Sequence, residues 1–90
     1  MTNFLKRDEI LQSIFEILSS LKEKLPTETY ASIKLDFDHN EYAVGFETLC
    51  EQIFEYSVQI SNEQYNTLFK LCKLMHIDMR YVHDLKNLVK

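Results

Sequence analysis

Residues 39–60, HNEYAVGFETLCEQIFEYSVQI, decide how this chain folds. Tyr42, Phe46, Leu49, Cys50 and Ile53 recur at offsets of three and four, which places them on one face of a helix. Ala43 and Phe54 are expected to widen that face into the broad stripe of a core helix. The other side carries Glu41, Glu51 and Glu55, with Glu47 at the margin, and the stretch contains no Lys or Arg. Glu47, Glu51 and Glu55 are four apart, a spacing at which like charges cost a helix a few tenths of a kcal/mol per pair. One side therefore builds a core, while the other presents negative charge that nothing nearby in sequence neutralises.

Working outward, the clearest boundary lies just beyond this helix. Ser61-Asn62-Glu63-Gln64 has the S-x-x-Q form of a capping box and precedes an apolar run. The helix it opens is expected to bury Tyr65, Leu68, Phe69, Cys72 and Met75. Ile77-Asp78 breaks it, and Asp78 caps a last helix carrying Met79, Val82, Leu85 and Leu88 or Val89.

On the N-terminal side, Asp38, His39 and Asn40 form a loop, with Asn40 or Asp38 available to cap the central helix. Before it, PTETYASIKLDFD places Tyr30, Ile33 and Phe37 at helical spacing. Ile33 to Phe37 also alternates apolar and polar, as a short strand would. No other segment alternates well enough to pair with it, so a helix is expected. The first helix has Thr2 or Asn3 as its cap and Ile10, Leu11, Ile14, Ile17, Leu18 and Leu21 as its stripe, with Phe15 beside them. Lys22 and Lys24 suit the negative end of its dipole, and Pro26 stops it and starts the next helix. The expected fold class is all-α, a small bundle of four or five helices in a single domain spanning residues 1–90.

Composition agrees with this. Hydrophobic residues make up 46%, enough for a core, and one Gly and one Pro leave few breakers for hairpins. The net charge of -4 is unevenly placed. Residues 1–26 are neutral, residues 27–60 carry -6, and residues 61–90 carry +2. An acidic middle third argues against direct nucleic-acid binding, which needs cationic side chains facing phosphate. It suits a basic protein partner, because complementary charge speeds encounter. Asp8, Glu9 and Glu16 interrupt the N-terminal apolar residues, so no signal peptide is read there, and no run approaches a membrane span. Two cysteines on apolar faces, Cys50 and Cys72, read as buried free thiols in a reducing, cytoplasmic setting.

No chemical constellation stands out. His39, His76, His83, Cys50 and Cys72 form no C-x-x-C or H-x-x-x-H pair, so no metal site is expected, and His39 with Glu41 reads as capping or solvated residues. Neither cysteine has a basic neighbour and a Gly-rich turn to activate it. General acid/base work by the carboxylates would need a cleft that drives two pKa values apart, which a small bundle offers poorly. No catalytic residue, cofactor or enzymatic activity is expected. The last two helices look somewhat like a helix-turn-helix, with Arg80 and Lys86 available to DNA, but Asp78 and Asp84 are ill suited to phosphate. A plain helical hairpin is the better reading, with a DNA-binding regulator or an adaptor subunit as alternatives.

Residues 39–90 resemble the MafI-like immunity proteins of bacterial polymorphic toxin and contact-dependent growth inhibition systems. The resemblance rests on an acidic helix with Glu47, Leu49 and Glu55, then Ile60-Ser61 opening a helix with Leu68 and Leu71. It closes on Ile77-Asp78, Tyr81, Leu85, Leu88 and Val89, and His76 stands where such proteins commonly have Gly. The resemblance implies a non-catalytic cytoplasmic antitoxin that neutralises a cognate toxin domain, such as an EndoU-like or other tRNA-cleaving nuclease. The candidate contacts are Asp36, Asp38, Glu41, Glu47, Glu51 and Glu55 for basic toxin residues, with Tyr30 and Tyr56 as aromatic anchors.

Overall fold

The central stretch folds as one helix, from Tyr42 to Glu55, with Phe46, Leu49, Cys50 and Ile53 buried and Tyr42 half-buried. The computed structural model describes the backbone of residues 2–90 and the side chains of residues 8–90. Within them the fold is all-α, with five helices in order: α1 (Thr2–Leu21), α2 (Thr27–Asp38), α3 (Tyr42–Glu55), α4 (Asn62–Leu74) and α5 (Arg80–His83). Short 3-10 turns follow α1 at Lys22–Lys24 and α5 at Lys86–Leu88. The expected cap at Thr2 or Asn3 lies outside the described side chains.

Two helix pairs make the bundle: α2 packs on α3, and α1 on α4. The α1–α4 pair is antiparallel, because Glu9 pairs with Lys70 at 3.0 Å while Ser20 accepts from the Gln64 side chain at 2.9 Å. The short α5 bridges α3 and α4. One apolar core runs through all of them, from Ile14, Leu18 and Leu21 through Phe37, Phe46 and Leu68 to Val82 and Leu85. Gly45 permits the close approach of α2 and α3, since a Cβ there would lie 2.9 Å from Cε1 of the buried Phe37 ring.

Caps explain how so few breakers suffice. The capping box forms as expected: Gln64 N–H donates to Ser61 Oγ at 3.0 Å, and Ser61 N–H donates to Gln64 Oε1 at 2.8 Å. At the other ends, α2, α3 and α4 each stop at a non-glycine residue with left-handed backbone, namely Asn40 (φ 63), Ser57 (φ 48) and His76 (φ 56). Each is the pivot of a Schellman motif. After α3, Ser57 N–H donates to Phe54 O at 3.1 Å and Val58 N–H to Ile53 O at 3.0 Å. After α4, His76 N–H donates to Lys73 O at 3.2 Å and Ile77 N–H to Cys72 O at 3.0 Å. Val58 and Ile77 then turn into the core, so apolar burial holds turns that backbone preference opposes. Replacing His76 by Gly is accordingly expected to stabilise the protein by about 0.5–1 kcal/mol, the left-handed strain relieved exceeding the added chain entropy. Thermal unfolding would move up by roughly 3–6 °C. An unchanged or lower midpoint would mean that His76 is held there by contacts that offset the strain.

Several sequence expectations need correction. Ala43 and Phe54 do not widen the core stripe: both are exposed, because the buried arc of α3 is filled by Phe46, Leu49, Cys50 and Ile53. Phe69 and Phe15 also face outward, and Leu71, not Phe69, fills the α4 core. Neither Asn40 nor Asp38 caps α3; Glu41 holds that position without a side-chain cap, and Asn40 accepts the Tyr42 hydroxyl at 2.7 Å. Pro26 sits one residue before α2. The segment read as helix or strand is helix throughout α2. The last helix is shorter than expected, because the chain end is drawn to residue 60. Ile60 N–H donates to Leu88 O at 3.1 Å and Lys90 N–H to Ile60 O at 3.0 Å, forming a parallel bridge between Ile60 and Val89. Asp78 does cap the turn into α5, its Oδ1 accepting from Arg80 N–H at 2.9 Å.

Candidate protein-binding face

The outward side of α3 follows from the burial of the other. With Phe46, Leu49, Cys50 and Ile53 inside, helical geometry sends Glu51 and Glu55 into solvent and leaves Glu47 half-buried at the boundary. Phe54, at 56% exposure, and Tyr56, at 49%, stand among them at the C-terminal end of the helix. The ion pairs among the described residues are Lys34–Asp38, Glu9–Lys70 and Asp78–Arg80, so Glu47, Glu51 and Glu55 make none of them.

The eight candidate contacts do not converge on one spot. Glu51 and Glu55 line a groove of about 400 Å³ between the end of α3 and α5. Phe54 and Tyr81 supply its aromatic walls, Cys50 lies against it, and Arg80 and Asp84 complete it. Tyr56 caps the C-terminus of α3 next to Glu55. Asp36, Asp38 and Glu41 gather instead at the α2–α3 turn, about 20 Å along α3 from Glu55. There Asp38 is paired with Lys34 at 3.1 Å, and the Asp36 carbonyl accepts from Glu41 N–H at 2.8 Å. Tyr30 is half-buried against the core with the Lys22 ammonium 5.8 Å from its ring centre, so it is a poor aromatic anchor. Phe54, Tyr81 and Asp84 belong to the groove although sequence reasoning does not single them out as contacts. Tyr81 and Asp84 are one helical turn apart, which is the signal that could have joined them.

The thiols are shut away from chemistry at this face. Burial, then coupling to the ionisation of Cys72 and the negative charge of Glu51 and Glu47, pushes the Cys50 thiol far above its ordinary value of 9.0. Burial and then Asp78 raise Cys72 from the same value, and its thiol donates to Ile77 O at 3.2 Å. Above pH 9 the unfolded chain would release these protons while the folded chain keeps them. Stability should therefore fall as pH rises, by at most about 1.4 kcal/mol per pH unit per thiol. Urea titrations at pH 8, 9 and 10 would check this, with Cys50→Ala expected to fall less steeply.

Among the described residues, no cluster of three His, Cys, Asp or Glu side chains could hold a metal ion. No described helix is long and apolar enough to cross a membrane. The four-residue α5 is too short to lie along a DNA groove as a recognition helix. No family model, curated protein or solved structure matches the chain.

Proposed function

We propose that this protein is an immunity protein, a non-catalytic antitoxin that binds a basic toxin domain in the cytoplasm and blocks its action. One observation carries the reading. Glu47, Glu51 and Glu55 stand on one helix without an ion pair among the described residues, beside exposed Phe54 and Tyr56. Unneutralised carboxylates beside exposed aromatic rings suit a partner that brings cations and apolar stems together. A nuclease fits that description, because its substrate is polyanionic and its cleft must be basic. Inhibition then needs only occupancy of that surface. The resemblance of residues 39–90 to MafI-like immunity proteins points to the same partner class.

Binding kinetics test the reading. A basic toxin domain encoded by a gene adjacent to this one, taken as the cognate partner, should bind the purified protein with an association rate that falls steeply between low and physiological salt. Salt-independent binding would argue against charge as the basis of recognition, and absence of binding would remove that toxin as the partner.

A further inference from the structure

Where on the long acidic face a partner would be held most firmly is a separate question, and the groove between α3 and α5 answers it. Phe54 exposes 56% of its surface there, and Tyr81 is half-buried opposite. Three carboxylates, those of Glu51, Glu55 and Asp84, line the same groove against one guanidinium. That guanidinium already has company: Arg80 lies 3.6 Å from Asp78 and 5.9 Å from the centre of the Tyr81 ring. The groove therefore has aromatic surface for an aliphatic stem and surplus negative charge for its head. These two properties together select a long cationic side chain over an apolar one, which would strand the carboxylates, and over an anion, which they would repel.

We propose that this groove is a clasp for an arginine or lysine side chain of the basic partner, with Phe54 as its platform and Glu51, Glu55 and Asp84 around the charged head. The proposal rests on the inhibitor reading above and narrows it, because Asp36, Asp38 and Glu41 then lie outside the anchoring point. Arginine suits the site better than lysine, since its planar head can stack on a ring while donating to carboxylates on either side.

The test is an amide-resolved NMR titration of the whole protein with a blocked tetra-arginine peptide at low salt, with blocked tetraglutamate as control. Shifts should centre on residues 51–55 and 80–84 with the cationic peptide alone. Phe54→Ala, an exposed position that should leave the fold intact, should weaken peptide binding about two- to fivefold. Shifts confined to residues 36–41, no shifts at all, or full affinity in Phe54→Ala would overturn the clasp. So would concentration-dependent broadening of the same amides without peptide, which would identify the occupant as a second copy of this chain. The inhibitor reading fails separately, if the wild-type protein does not protect cells from the toxin while the peptide still maps to the groove.

Discussion

Phe46→Ala is expected to remove about 3–5 kcal/mol of folding stability. Phe46 is fully enclosed where α3 meets the rest of the core, and truncation loses both the transfer energy of the ring and the contacts around the space it leaves. A domain of this size has roughly 5–13 kcal/mol in total, so the variant should be near the edge of folding. Phe54→Ala is the matched comparison on the same helix. Its ring is more than half exposed, so the change should fall within about 0.5 kcal/mol. Urea unfolding of the two variants reads the difference directly. Similar losses in both would return Phe54 to the core and close the groove against α5.

That contrast also marks how far the sequence could be read. Offsets of three and four located the buried residues of α3, and S-x-x-Q located the start of α4, because both signals are local. The placement of Phe54 and Phe69 was not local. Each neighbours a buried residue, and which of two adjacent apolar positions faces inward depends on where α5 and α1 pack. The ends of the helices were obscure for another reason. Asn40, Ser57 and His76 occupy positions where Gly would have announced a left-handed turn, and the burial of Val58 and Ile77 together with the Schellman hydrogen bonds holds the last two. The C-terminal pairing with Ile60 gave no sequence signal, since it joins residues far apart in the chain. For the site, the charge count found the acidic helix but could not divide it. The structure puts Glu51 and Glu55 on a groove against α5 that Asp36, Asp38 and Glu41 do not line.

Reversing Glu51 and Glu55 to lysine should slow association with a basic partner by about 10- to 100-fold at low salt and weaken binding. The double change moves net charge from -4 to zero and places cations where the partner's own would approach. Folding should not suffer. Both residues are exposed, and Glu51→Lys exchanges a repulsion with Glu47 for an attraction at the favourable spacing, worth a few tenths of a kcal/mol. Stability unchanged or slightly higher, with binding lost, would separate the surface from the fold. Unchanged binding at low salt would remove the acidic face from the mechanism.

The most direct measurement is growth rescue. Cells expressing a nuclease toxin domain chosen as the proposed partner, from a gene adjacent to this one, would be followed by density with no inhibitor, with the wild-type protein and with the Glu51→Lys/Glu55→Lys variant. The prediction is growth restored by the wild type and restored poorly by the variant, although both accumulate as folded protein. Arrest regardless of the wild type would contradict the antitoxin function, and equal protection by the variant would contradict the acidic face as its means.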